Sequence, residues 1–370
     1  MSRRSICAAV ALTAVLIGQA AAQTFQDGRA PLIVGQVQEI RREISSLDDR
    51  PDTRLALISG LPTARTIKLR LEVVPGQAAA TGITVVVRDA GNNEVARYPG
   101  EKLVDERTVW TPLIKGATAQ VEVTGQAAAG TELRVLINAV ASHVPPAKPT
   151  LNIVGAFDLE DIEYIRINQP DIFAAGRSVA KITFVSSEGP AACTGFMVSD
   201  DRMLTNHHCI NTDEICRSAD VIFGFDKPED LLGEEIRKCV RLIDKDEKLD
   251  AALIEVAGSP GTRWGSLALS DGHPAVPEPT VVVQHPAGFH KFVSRKDCVV
   301  STMPADGVIP GSDFGHTCDT MDGSSGSPVL RRADLKVVGL HHWGFVDNDE
   351  KWKAENRAVQ IGLIKTRFGL

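Results

Sequence analysis

Short runs in which apolar and polar residues alternate dominate this chain. Ile67-Lys68-Leu69-Arg70-Leu71-Glu72-Val73, Ile83-Thr84-Val85-Val86-Val87, Ala119-Gln120-Val121-Glu122-Val123 and Leu133-Arg134-Val135-Leu136-Ile137 all follow a period of two. That period puts successive side chains on opposite faces of a strand, and the runs are parted by turn-forming residues such as Pro75-Gly76 and Ala90-Gly91-Asn92-Asn93. Antiparallel strands forming a small β-sandwich are therefore expected over 23–145. Within that span, 23–61 reads as a polar leader with no assignable element.

Further along, short apolar strands are expected at 179–185, 195–198, 202–205, 221–225, 251–256, 280–284, 298–302, 328–331 and 336–341. Turn-rich loops separate them, as in an all-β barrel protein. Helical periodicity is weak except over 358–368, where a short helix is expected. Between the two regions lies Ser142-His143-Val144-Pro145-Pro146-Ala147-Lys148-Pro149-Thr150. Its prolines lack the N–H that a sheet ladder needs and favour extended polyproline geometry. The domain boundary is placed there, with 146–168 as linker and 169–370 as the second domain.

Composition narrows the functional classes. The chain has 370 residues, enough for two domains with separate cores, and a net charge of -7 gives no basic footprint for nucleic acid. Arg3 and Arg4 precede an apolar run over 6–17, and Ala20-Ala21-Ala22 follows with small side chains. This is the pattern of a signal peptide, 1–22, with cleavage after Ala22 and a secreted or periplasmic product. The run is too short for a comfortable membrane span.

Export changes how the cysteines read. Without Cys7 the chain retains Cys193, Cys209, Cys216, Cys239, Cys298 and Cys318, an even number suited to three disulfides in an oxidising compartment. By proximity Cys216 pairs with Cys239 and Cys298 with Cys318, although six cysteines allow fifteen connectivities. A zinc site built on His207, His208, Cys209 and Cys216 is the competing reading, less expected outside the cell. No segment calls for a metal or an organic cofactor.

Two segments carry candidate chemistry. Gly323-Ser324-Ser325-Gly326-Ser327-Pro328 presents a serine in a glycine-rich elbow, and Leu204-Thr205-Asn206-His207-His208-Cys209 places histidines at the end of an apolar strand. A serine hydroxyl needs a base within hydrogen-bond reach and a carboxylate to orient that base. Glycines beside the serine let the backbone turn and aim amide N–H groups at a developing oxyanion. The Gly323 and Ser325 amides are the expected donors. By itself such a serine-glycine run is usually a flexible loop.

With Cys193-Thr194-Gly195-Phe196 before the histidine segment and Leu249-Asp250-Ala251-Ala252-Leu253 after it, residues 169–370 resemble the chymotrypsin-like serine proteases. The resemblance implies a two-barrel fold, His208 as general base, Asp250 as its orienting carboxylate, Ser325 as nucleophile and a Cys193–Cys209 disulfide. His207 is then structural. Digestive members hold an Asp before the nucleophile, which pairs with a new N-terminal amine; here that residue is Ser324. The Gly-Ser-Ser-Gly-Ser-Pro form is closer to bacterial secreted relatives, among them glutamyl and lysyl endopeptidases.

Specificity stays open between two electrostatically opposed readings. Asp319 stands where trypsin-like members hold the acid for Lys or Arg, which tilts the expectation toward basic substrates. Thr320 and His341 resemble the pair with which glutamyl endopeptidases hold a carboxylate, and Trp343-Gly344 matches the strand that pairs with the substrate backbone. Asp319 read as a loop-structuring acid, and His341 or His342 as a partner of Asp250, are the plainer alternatives. The expected partners are protein or peptide substrates. A non-catalytic adhesin or scaffold on the same fold competes with the enzyme, and the first domain is either a removable propeptide or a binding module.

Overall fold

The computed structural model describes residues 30–47, 51–76, 80–126, 131–144, 150–344 and 355–370. The signal segment 1–22 and the prolines at 145–149 lie outside the described residues. Two antiparallel sheets come first. One orders Gly35–Ser45, Arg134–His143, Thr66–Val73 and Thr108–Trp110, with Ile114–Lys115 also on Thr66–Val73; the other orders Leu55–Ser59, Thr118–Gly125, Ile83–Asp89 and Glu94–Pro99. Leu69, Leu71, Val135 and Ile137 of the first meet Val85, Val87, Val121 and Val123 of the second in one buried cluster. Each contributes about 1.5–3 kcal/mol of apolar burial, which is what holds the sandwich closed. The alternation in the sequence is the imprint of those inner faces.

The strand Gly35–Ser45 is absent from the sequence reading because it pairs only with Arg134–His143 and leaves most of its side chains in solvent. With little to bury, it carries no apolar period. Just before it, Leu32–Ile33 leaves the sandwich and pairs with Gly189–Met197 of the following barrel. Lys68 of the sandwich is fully buried against that barrel. Its Nζ lies 3.0 Å from Asp220 Oδ2 and donates to the Ser218 carbonyl, while Leu113 N donates to the same Asp220 oxygen at 2.9 Å. Lys238 approaches the other Asp220 oxygen at 3.0 Å.

The first barrel runs Gly189–Met197, Val179–Ser186, Asp220–Phe223, Glu235–Asp246, Ala251–Val256 and Arg202–Thr205, and closes where Phe196 pairs with Leu204. The second sheet runs Glu160–Asp161, Phe292–Ser294, Thr280–Gln284, Pro328–Arg331, Val337–Trp343, Asn356–Gln360, Asp313–His316 and Val300–Ala305. Hydrogen bonds from Thr280 N to Cys298 O and from Val300 N to Glu278 O, each 2.9 Å, draw its ends together. Phe196, Leu204 and Leu253 of the first barrel share one core cluster with Val281, Leu330 and Leu340 of the second. That shared seam is where the candidate site lies. The expected all-β, two-barrel architecture after a smaller sandwich is present.

Two expectations are corrected. Much of the segment 146–168 is not a bare linker: Leu151–Asn152 pairs with Thr320–Met321, Glu160–Asp161 pairs with Phe292–Ser294, and Ile162–Ile165 is a helical turn whose Ile162 and Ile165 are buried. The helix expected over 358–368 begins only at Ile361, because Asn356–Gln360 is a fully buried strand paired on both sides. Disulfides join Cys193 to Cys209, Cys216 to Cys239 and Cys298 to Cys318. Among the described residues no helix is long and apolar enough to cross a membrane.

Candidate active site

His208 and Asp250 meet at the mouth of the first barrel. Arg202–Thr205 ends just before the histidine turn, and Ala251–Val256 pairs with it, so Thr205 lies opposite Ala252. The turn is fixed by Asn206 Nδ2, which donates to the Asp250 carbonyl at 2.8 Å, and by the Cys193–Cys209 disulfide. His208 Nδ1 lies 2.8 Å from Asp250 Oδ2, and the His208 amide donates to Oδ1 at 3.0 Å. Facing a carboxylate, Nδ1 carries the ring proton, which leaves Nε2 as the basic nitrogen. Nε2 has no hydrogen-bond partner among the described residues.

Asp250 is 1% exposed. Burial alone would raise its carboxyl, but the His208 and His342 rings beside it hold it far below the usual carboxylate range. His207 is lowered by burial. Sulfur atoms of Cys193 and Cys209 lie within 4.8 Å of a His208 ring nitrogen, but both are consumed by their disulfide. They offer no thiolate to a metal.

The serine loop is built from close backbone contacts. Gly323 has φ +91° and Gly326 φ +90°, in the left-handed region that glycine adopts freely. A Cβ on Gly326 would lie 2.1 Å from the Thr194 carbonyl oxygen and 2.6 Å from Thr205 Oγ1, so no other residue fits there. Thr194 holds the loop at two points, its amide donating to the Ser325 carbonyl at 2.8 Å and its hydroxyl to the Gly323 carbonyl at 2.9 Å, while its own carbonyl accepts from Thr205 Oγ1 of the strand before the histidine turn at 2.8 Å. Among the described residues the Gly323 and Ser325 amides donate to no backbone carbonyl.

Ser324, at the position of the missing acid, is fully buried. Its hydroxyl donates to Gln284 Oε1 at 2.6 Å and accepts from Met321 N at 3.2 Å. Gln284 Nε2 in turn donates to the Asp319 carbonyl at 2.8 Å. A neutral hydrogen-bond chain thus runs from Ser324 through Gln284 to the Asp319 carbonyl.

Asp319 does not present a free acid to a cationic side chain, as the sequence reading anticipated. It is 1% exposed, its Oδ1 accepts from Val154 N and its Oδ2 from Asp158 N, both at 2.8 Å. Both oxygens are spent on fastening the segment that follows the prolines. Burial raises the nearby Asp158 to about 7, and the Asp319 carboxylate adds to that shift.

Thr320 is buried, its Oγ1 has no hydrogen-bond partner among the described residues, and Asn152 pairs with it across the sheet. The Asn152 side chain packs where a Cβ of Gly344 would stand, 2.1 Å away. His341 brackets the serine loop through its backbone, accepting from Gly326 N and donating to Ser327 O, each 2.9 Å. Its Nδ1 lies 3.2 Å from His316 Nε2. Burial drives His341 well below the ordinary histidine value and His316 to about 3, so both rings are neutral. Trp343 lies edge-on to His342, ring centroids 6.5 Å apart.

Four site partners escaped the sequence reading: Thr194, Gln284, His316 and Asp313. Only the cysteine and glycine neighbours of the first could have drawn attention to it. A cavity of about 1070 Å³ opens in front of His208, lined also by His207, Asp250, Glu188, Ala30 and Pro31.

Residues 193–340 match the family model described as trypsin-like peptidase domain. The chain is 30% identical over 205 residues to secreted RxLR effector protein 73 of Plasmopara viticola, covering 49% of this chain and 51% of that protein. It is 27% identical over 238 residues to the uncharacterised protein y4fB of Sinorhizobium fredii, covering 58% and 35%. It therefore spans about half, and about a third, of the lengths of these two curated relatives. Among solved structures, a Glu endopeptidase in complex with MPD is similar at TM-score 0.44 and 19% identity, over 59% of this chain and 98% of that one. A serine endoprotease from Yersinia pestis is similar at TM-score 0.42 and 16% identity, over 55% and 65%.

Proposed function

We propose that this protein is a secreted serine endopeptidase in which Ser325 attacks the peptide carbonyl, His208 takes and returns the proton, and Asp250 orients His208. The observation that carries this reading is His208 itself: Nδ1 is anchored on a buried, ionised carboxylate inside a segment matching a trypsin-like peptidase domain, while Nε2 makes no hydrogen bond to Ser325 or to any other described residue. An imidazole held in that tautomer is ready to accept a hydroxyl proton. The Gly323 and Ser325 amides, spent on no backbone carbonyl, would stabilise the oxyanion; water then releases the acyl-enzyme. Three disulfides support an oxidising compartment.

For the side-chain pocket, the geometry favours acidic over basic residues. Asp319 is buried with each oxygen engaged by a backbone amide, whereas Thr320 Oγ1 has no hydrogen-bond partner among the described residues, so its hydroxyl remains to donate to a carboxylate.

Ser325→Ala is expected to cost at least about four orders of magnitude in casein hydrolysis and to abolish fluorophosphonate labelling, with the circular dichroism spectrum unchanged. Undiminished hydrolysis in that variant would overturn the mechanism. Failure of the folded wild type to be labelled would favour the scaffold reading. A peptide-library profile is expected to show cleavage after Glu or Asp; a profile dominated by Lys and Arg would refute the pocket assignment.

A further inference from the structure

We infer that His342 is a positioning residue for the proposed reaction: a buried imidazolium that bridges Asp250 to a second buried aspartate, Asp313, and sets the charge felt by the general base. The inference rests on the serine-protease reading of His208, Asp250 and Ser325.

The geometry is a linear chain of buried groups. His208 Nδ1 lies 2.8 Å from Asp250 Oδ2, His342 Nδ1 lies 3.2 Å from the same oxygen, and His342 Nε2 lies 2.7 Å from Asp313 Oδ2. Ser312 Oγ donates to Asp313 Oδ1 at 2.7 Å. His342, Asp250 and Asp313 are each 3% exposed or less. An ionised carboxylate only accepts hydrogen bonds, so a ring with both nitrogens on carboxylates must carry a proton on each. A neutral ring would leave a lone pair against an ionised carboxylate oxygen in a buried site, which is far costlier than the ion pairs. Burial acts against the charged ring, yet Asp313 and Asp250 raise it to about 9.

Two like charges so close, Asp250 and Asp313, repel one another in a buried site, and the imidazolium between them offsets that repulsion. The imidazolium makes the His342–Asp313 pair neutral overall, so the general base experiences the Asp250 charge alone. The groups facing His342 fit this balance: Asp250 from the turn before Ala251–Val256, Asp313 from Asp313–His316, the His208 ring, and the neutral His341 and His316 rings, with Arg357 of Asn356–Gln360 alongside Asp313.

The test is a charge cycle read in the pH profile of kcat/KM. His342→Gln removes the cation that lies between the two buried carboxylates, so the acid limb is expected to move upward by about one pH unit, roughly a tenfold loss at a pH below the limb. In His342→Gln with Asp313→Asn the added negative charge is gone, and the limb is expected to return to the wild-type position. Asp313→Asn alone is expected not to raise it. A purely structural role predicts lower rates in all three variants with no such opposing movements, and that pattern would overturn the inference. If His342→Gln fails to fold, selective 15N-histidine spectra of the wild type decide. Both His342 ring nitrogens are expected to be protonated at pH 7.5, and a neutral tautomer there refutes the proposal whether or not the protein cleaves peptides. Loss of the serine-protease reading shows separately, as an active Ser325→Ala enzyme.

Discussion

Ser324 offers the sharpest check on how the nucleophile loop is held. Its hydroxyl sits in a fully buried site between Gln284 Oε1 and Met321 N. Gln284 cannot flip to adapt, because its Nε2 is fixed on the Asp319 carbonyl. Ser324→Ala therefore strands one buried acceptor and one buried donor. At about 1–3 kcal/mol for each group left unsatisfied, with partial relaxation, the loss is about 2–4 kcal/mol. Ser324→Asp, which restores the residue of digestive relatives, is expected to be worse above pH 5: a buried carboxylate would face a carbonyl oxygen, costing several kcal/mol.

The sign with pH follows from the same contact. That carboxyl would have a folded-state value above its unfolded one, about 3.9, so its penalty is absent at low pH and grows as pH rises, whereas the Ser324→Ala penalty carries no such dependence. Urea denaturation of wild type and both variants at pH 5 and pH 8, with fluorophosphonate labelling rates on the same samples, measures this. If Ser324→Asp were as stable as wild type at pH 8, the neutral-chain argument would fail. Equal stability of Ser324→Ala would show that the hydroxyl holds nothing.

Gly326→Ala should be more damaging than its size suggests, since the new Cβ would meet the Thr194 carbonyl at 2.1 Å at a φ of +90°; a variant that folds and is labelled at the wild-type rate would contradict this packing. Asp319→Asn should leave any cleavage after Glu intact, because Asn retains one acceptor for the two amides, while costing about 1–3 kcal/mol in urea melts; selective loss of Lys or Arg cleavage would restore the discarded pocket reading. Lys68→Met, which removes one of two cations on Asp220 but leaves it Lys238 and the Leu113 amide, should lower stability by about 1–3 kcal/mol; an unchanged melt would show that the sandwich does not depend on this pair.

The sequence by itself determined what repeats locally. Alternation found Thr66–Val73, Ile83–Asp89 and Thr118–Gly125, because each turns one face to a core, and it missed Gly35–Ser45 and the charged Glu235–Asp246, because strands with exposed faces need no apolar period. Residue order marked His208, Asp250 and the Gly323–Gly326 elbow; the Cys193–Cys209 pairing came from the family resemblance, and proximity along the chain pointed to the other two pairs among fifteen connectivities without fixing them. Tertiary structure alone decided the task of each acid and histidine. Asp319 reads as a specificity acid until Val154 and Asp158, far away in the chain, are seen to take both of its oxygens. His342 reads as one of two interchangeable histidines until Asp250 and Asp313 are found on its two nitrogens. A side chain's charge and hydrogen-bond vacancies depend on which groups surround it in space, and in an antiparallel barrel those groups come from strands tens to hundreds of residues apart.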